Sequence, residues 1–331
     1  MALRFTTGRF ARGLSALALV VLVITPSIGG CDVFTDESAN GRPGAPGSLR
    51  IAVTPSVDTA ALRIGVKDGL FDNAGLRVRL VEQPSRTAAL DKLKAGDVDL
   101  AFTSDVAVLR AASSGVRLQL QGEAYQAGPN TMALLAAPDS GYTEPQQRPA
   151  PRIAVDTRGD VGELATKSAM KDAGVDPNGI TFVPRPFRAM ADALRTGEVD
   201  AAWVVEPYLT RIQKELGATM VLDTAQGTTE DFPMSSYAAT TRYADRNAPV
   251  LTRFRSVLAD AQRSATVTRV QQELPTFTDV DPTTAALVSI GDFPDRLNHV
   301  RLQRVADLML TLGAVRDRLD VNEMSPPPLR S

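Results

Sequence analysis

Leu93 to Asp105 reads LKAGDVDLAFTSD, and about a hundred residues later Leu194 to Pro207 reads LRTGEVDAAWVVEP. The two stretches align without a gap: Gly96 with Gly197, Val98 with Val199, Asp99 with Asp200, Phe102 with Trp203, Asp105 with Glu206. Each begins as the end of an amphipathic helix that stops at a glycine, where the left-handed exit suits a residue without Cβ. A Val-Asp turn follows, then a short apolar run that reads as a buried strand. The carboxyl end of that strand delivers an aromatic residue and an acid. In open α/β sheets ligands bind beyond the carboxyl ends of the strands. Two such units facing one another would put Asp105 and Glu206 on opposite walls of one cleft.

The surrounding sequence repeats the same alternation. In the first half, LRIAV (from Leu49) predicts a strand, Asp58 to Leu70 a helix, LRVRLVE (from Leu76) a half-buried strand, Arg86 to Lys94 a short helix, VDLAFT a strand, and Val106 to Ser114 a helix before Gly115. In the second, Arg152 to Asp156 predicts a strand, Val161 to Ala173 a helix, ITFVP a strand, Phe187 to Thr196 a helix, VDAAWVV a strand, a helix opened by Pro207, and ATMVLDT a last strand. Strands alternating with helices are the pattern of parallel sheets covered on their faces. After Ser235, SSYAATTRYA reads as a strand returning to the first unit. Helices are expected over about 248–266, 281–289 and 299–312, with apolar stripes that mark core positions. The expected organisation is therefore two α/β lobes. The first is discontinuous, residues 48–125 and 235–331, and the second spans 126–234. Two strand-like crossings, near Glu123–Ala127 and Pro233–Tyr237, would form the hinge.

Composition narrows the function. The chain has 331 residues, a formal net charge of −2, 44% hydrophobic and 22% charged residues. That is ordinary for a globular protein and gives no basic footprint for nucleic acid. One cysteine, Cys31, and one histidine, His299, leave no ligand set for a cysteine or histidine metal site, so neither metal nor cofactor is expected. The first thirty residues carry Arg4, Arg9 and Arg12 and an apolar run from Leu14 to Ile24, the pattern of a signal peptide. Ile28-Gly29-Gly30-Cys31 follows. This motif is similar to a bacterial lipobox and implies a lipidated Cys31. Residues 31–47, rich in Gly, Pro and small polar residues, read as a tether with a reach of roughly 20 Å.

Several motifs in order resemble one family. GLFDNAGLRVRLVE, ALDKLKAGDVDLAFT, RIAVDTRGD, ALRTGEVDAAWVVEPY and ATMVLD, behind the lipobox, are similar to substrate-binding proteins of ABC importers of the nitrate/sulfonate/taurine and thiamine-precursor type. The resemblance covers roughly Leu49 to Met234. It implies a type II periplasmic-binding-protein-like fold: two Rossmann-like α/β lobes, a two-segment hinge and a ligand cleft between the lobes. It also implies a monomeric, lipid-anchored extracytoplasmic protein without catalysis that docks to an ABC permease. The chain departs from the family at DTRGD, where Asp160 would crowd an anionic ligand, and at the stretched interval from Trp203 to Glu206-Pro207.

The candidate ligand contacts are Thr54, Ser56, Asp58, Ser104, Asp105, Tyr125, Asp156, Thr157, Trp203, Glu206 and Phe232. Pro207 at the first helical position would make Glu206 an N-cap, a place glutamate fills poorly, which suggests another use for its carboxylate. Acids outnumber the bases expected nearby, Arg158 and Arg188. A cleft of that sign favours an amine or heteroaromatic nitrogen, with a ring stacked on an aromatic side chain such as Trp203. Two other classes share the fold: an enzyme like those that build the thiamine pyrimidine, and a lipid-anchored sensory or structural protein without a transport role.

Overall fold

The structure is a computed structural model and describes residues 47–326. The expected signal segment, Cys31, the tether up to residue 46 and the tail from residue 327 lie outside the described residues. Gly47, expected to end the tether, is the first residue of a strand.

In the first half the chain forms β1 (Gly47–Val53), α1 (Ala60–Lys67), α2 (Leu70–Asn73), β2 (Leu76–Glu82), α3 (Arg86–Ala95), β3 (Leu100–Ser104), α4 (Asp105–Ser113), β4 (Leu118–Gln126) and β5 (Met132–Ala136). Then come β6 (Arg152–Val155), α5 (Val161–Asp172), β7 (Thr181–Pro184), α6 (Phe187–Arg195), β8 (Ala201–Val205), α7 (Tyr208–Leu216), β9 (Thr219–Asp223) and β10 (Pro233–Thr240). Five helices close the described chain: α8 (Thr241–Arg246), α9 (Ala248–Ser264), α10 (Val267–Glu273), α11 (Pro282–Ala285) and α12 (His299–Thr311).

These elements build two five-stranded sheets on one plan, in the orders β2-β1-β3-β10-β4 and β7-β6-β8-β5-β9. In each, three strands run parallel and the fourth is antiparallel to both its neighbours. The fourth strand is the one that has just crossed from the other sheet: β5 after β4, and β10 after β9. The two crossings lie side by side, with Ala127 N–H donating to the Phe232 carbonyl at 2.9 Å and Thr224 N–H to Met132 at 3.0 Å.

The opening echo has a physical cause. Asp99 accepts the backbone N–H of Arg50 at 2.7 Å and pairs with its guanidinium at 2.9 Å. In the second sheet Asp200 accepts the N–H of Arg152 at 2.7 Å and also meets its guanidinium, at 3.3 Å. The return bonds, Asp99 N–H to Arg50 and Asp200 N–H to Arg152, measure 2.9 and 2.8 Å. The two arginines open identical segments, Arg50-Ile51-Ala52-Val53 and Arg152-Ile153-Ala154-Val155. Each aspartate thus sets the register of the third parallel strand against the first. Charge-assisted bonds of this kind are about twice as strong as neutral ones. The aromatic of each echo is core: Phe102 and Trp203 are both fully buried.

Two expected helices differ. Asp58–Leu70 is divided, because Gly69 takes a left-handed conformation (φ 71°) between α1 and α2. Of 281–289 only α11 is helical. The following residues spend their backbone elsewhere: Val288 carbonyl accepts from Gln271 at 3.0 Å, and Ser289 N–H donates to Glu206. The C-terminal helices pack mainly on the first sheet. α9 lies so close to β4 that a Cβ on Gly122 would stand 2.7 Å from Leu258, and so close to α1 that one on Gly65 would stand 2.7 Å from Ala261. The segment after α10 also reaches α7, through Arg211–Asp279 at 3.1 Å and Lys214–Asp281 at 3.4 Å.

Candidate functional site

The carboxyl ends of β1, β2, β3 and β6 bring together side chains far apart in sequence. Asp58 stands just beyond β1, Arg86 beyond β2, Ser104 and Asp105 at the end of β3, and Asp156 and Asp160 beyond β6. Arg86 is their common neighbour. It pairs with Asp58 at 3.0 Å, and its guanidinium lies 5.5 Å from the Phe102 ring centroid. Burial works to lower its pKa, but Asp58, Asp156, Asp160 and Asp105 outweigh that and hold it above the ordinary value. Asp58 also accepts from Ser235 Oγ at 2.7 Å.

The two sheets meet here. Ser104 Oγ donates to Asp160 Oδ1 at 2.5 Å, and the same oxygen caps α5 by accepting Val161 N–H at 2.8 Å. A Cβ on Gly159 would overlap the Arg110 guanidinium, so the loop after β6 packs on a side chain of α4.

Asp105 is 1% exposed, and neither of its oxygens has a hydrogen-bond partner. Burial pushes its pKa up to about 8; the Ser236 hydroxyl and Arg86 oppose the rise, while Glu123 and Asp58 add to it. Asp156 is half-buried, with only a 3.4 Å bond from Thr157 on its carboxylate. Burial and Asp160 raise its pKa, against Arg86. Tyr125 is buried; its oxygen accepts Gly291 N–H at 2.6 Å, and its ring meets Phe293 edge-on at 5.2 Å. Ser56 Oγ is buried without a partner, and the Thr54 carbonyl accepts from Thr59 Oγ1 at 3.1 Å.

Trp203 and Phe232 lie elsewhere, and Glu206 is engaged in bonds of its own. Trp203 is fully buried, with Nε1 donating to Thr224 Oγ1 at 3.0 Å and its ring against Gly162. It is a packing residue, not a stacking platform. Glu206 is not an N-cap, because α7 starts at Tyr208 and Pro207 takes the cap position. Its carboxylate accepts from Thr210 N–H at 3.1 Å, Thr210 Oγ1 at 2.6 Å and Ser289 N–H at 3.0 Å. Burial raises its pKa against those bonds. Phe232 lines a separate cavity of about 390 Å³ between α5 and α12, with Lys171, Arg301 and Arg304. The side-chain bond between the sheets here is Ser104–Asp160, and Asp105 makes no bond to Glu206.

The expected base Arg158 is turned away: it is exposed and bonded to Glu163 at 3.2 Å and the Phe182 carbonyl at 3.0 Å. Arg188 is exposed. Arg86, Ser235 and Ser236 were missed. Their signal was position, at the carboxyl end of β2 and at the start of the returning strand. Among the described residues no three His, Cys, Asp or Glu side chains group to hold a metal ion, and no helix is long and apolar enough to cross a membrane.

Residues 42–276 match the profile of the NMT1-like family. The chain belongs to that family. This NMT1-like protein also shares its fold with solved binding proteins. The periplasmic aliphatic sulphonate binding protein SsuA from Escherichia coli is 20% identical, with a TM-score of 0.70 over 85% of this chain and 97% of that one. The alkanesulfonate-binding protein SsuA from Xanthomonas axonopodis pv. citri, bound to MOPS, is 19% identical, with a TM-score of 0.71 over 85% and 98%. The periplasmic nitrate-binding protein NrtA from Synechocystis PCC 6803 is 14% identical, with a TM-score of 0.71 over 85% and 87%. No curated protein matches the NMT1-like chain.

Proposed function

We propose that the protein is an extracytoplasmic solute-binding lipoprotein. On this reading it captures a small organic solute between two lobes, residues 48–125 with 235–331 and residues 126–234, and delivers it to the permease of an ABC importer. Cys31 carries the lipid anchor, and the segment after it lets the folded body stand off the membrane. The observation that carries the reading is the junction at Ser104 and Asp160, where the carboxyl ends of two like sheets meet beside a buried, incompletely bonded set of polar groups. The chain crosses between the sheets at two adjacent segments, 127–131 and 224–232, which suits bending about that line. Polar groups buried on both sides give specificity, because each loses water and must find a partner in the solute. The relatives named for sulfonate and nitrate binding support the same use of the fold. The junction gathers carboxyls and hydroxyls around one arginine, a set suited to holding a solute rather than to nucleophilic catalysis. Native mass spectrometry of the purified protein tests this. A small molecule that co-purifies and dissociates on partial unfolding is the expected result. A bare polypeptide mass, with no binding across a panel of small solutes, would contradict it.

A further inference from the structure

We infer that this site selects a positively charged solute, an alkylammonium or amidinium group, and rejects sulfonate and nitrate. The inference rests on the solute-binding reading above. Arg86 pairs with Asp58 at 3.0 Å, and Asp105, Asp156 and Asp160 stand at neighbouring strand ends, where their charges also act on its guanidinium. Arg86 is already committed to Asp58, so an entering anion would meet three further acids beside it.

The helix start that could seat an anion is filled from within. A helix N-terminus offers N–H groups and a positive dipole end to negative ligands. At α5, a helix of twelve residues, Asp160 supplies that negative group itself. Its oxygen takes Val161 N–H and the Ser104 hydroxyl together. An incoming sulfonate would have to displace a covalently tethered carboxylate.

A second observation points the same way and does not depend on counting acids. Ser56 Oγ, just beyond β1, is buried without a partner. Asp105 is buried to 1% exposure with both oxygens free. Buried polar atoms are normally bonded, and the N–H donors of a solute would bond these. An ammonium carries three N–H donors and no acceptor, which matches acceptors such as Asp105 and the half-buried Asp156. The ring surface expected at Trp203 is spent in the core, so an alkyl cation suits the site without stacking.

The test is calorimetry on the purified full-length protein, stripped of bound solute, with putrescine, agmatine, ethanesulfonate and nitrate as probes. Putrescine or agmatine is expected to bind. Asp156→Asn is expected to weaken that binding at least tenfold; the residue is half-exposed, so an unchanged unfolding temperature separates lost affinity from lost fold. Undiminished binding in Asp156→Asn would overturn the assignment. Binding of ethanesulfonate or nitrate alone would overturn the charge assignment and leave the solute-binding reading standing. If none of the four binds, the molecule that co-purifies decides. A cation upholds the inference, an anionic or neutral molecule overturns it, and the absence of any such molecule overturns the solute-binding reading as well.

Discussion

Trp203→Ala should lower folding stability by about 3–5 kcal/mol, the usual cost of emptying a large aromatic site from a core. The indole is fully buried in β8, packed against Gly162 of α5 so closely that a Cβ there would stand 2.5 Å from the ring. Its N–H is the donor to Thr224, which in turn donates to the Met132 carbonyl at 3.0 Å on the neighbouring strand. Alanine therefore leaves a void and also deprives Thr224 of a partner. Urea unfolding followed by circular dichroism measures the loss. Because Trp203 is the only tryptophan in the chain, wild-type fluorescence gives an independent check. Emission should be blue-shifted in the native state and unmoved by solute. A small stability change together with solute-dependent quenching would return Trp203 to the binding surface.

Asp105→Asn should change how stability responds to pH. An aspartate in the unfolded chain titrates near 3.9, whereas burial puts Asp105 at about 8 in the native protein. Between those values the folded state keeps a proton that the unfolded chain has released. The contribution of Asp105 to stability is therefore complete below about pH 4 and is lost as pH rises toward 8, by up to about 1.4 kcal/mol per pH unit for one proton. Asparagine cannot ionise and keeps a similar shape. The variant should match wild type at low pH and gain on it steadily up to pH 8. Glu206 and Asp156, whose pKa values burial also raises, titrate in both proteins and cancel in the difference. Unfolding midpoints of solute-free protein at pH 5, 6, 7 and 8 supply the comparison. A flat difference would mean that Asp105 is already charged in the native state.

The architecture was legible because its signals are local. Glycine stops after α3 and α6, the period of two in β2, and the two Val-Asp turns each report the backbone at their own position. Even so, the reason for Asp99 and Asp200 was hidden, since it lies in strands about fifty residues upstream. The matching Arg-Ile-Ala-Val segments were its visible trace. β5 escaped notice: Met132–Ala136 is buried on both faces, so it has no alternation, and a short apolar run reads equally as helix or strand.

The site was partly legible by the same logic. Asp58, Ser104, Asp105 and Asp156 follow strand ends, and strand ends are where sheets of this kind gather their polar groups. Arg86 was obscured because a basic residue at a helix start looks like solvent-facing charge, and only the fold reveals the acids around it. Trp203 and Glu206 were misplaced for another reason. Which face of β8 a side chain takes, and whether a carboxylate finds Thr210 and Ser289, are decided by tertiary packing that a linear pattern does not carry.

The most direct test of two lobes closing on a solute is the distance between spin labels placed on each. Thr87 in α3 and Arg188 in α6 are exposed second residues of helices that follow the parallel edge strands. In a background without Cys31, labelled cysteines at these positions should give one narrow separation with solute bound. Removal of the solute should give a longer and broader distribution, and its return should restore the first. The same separation in all three conditions would show that the lobes do not move, and would contradict capture by closure.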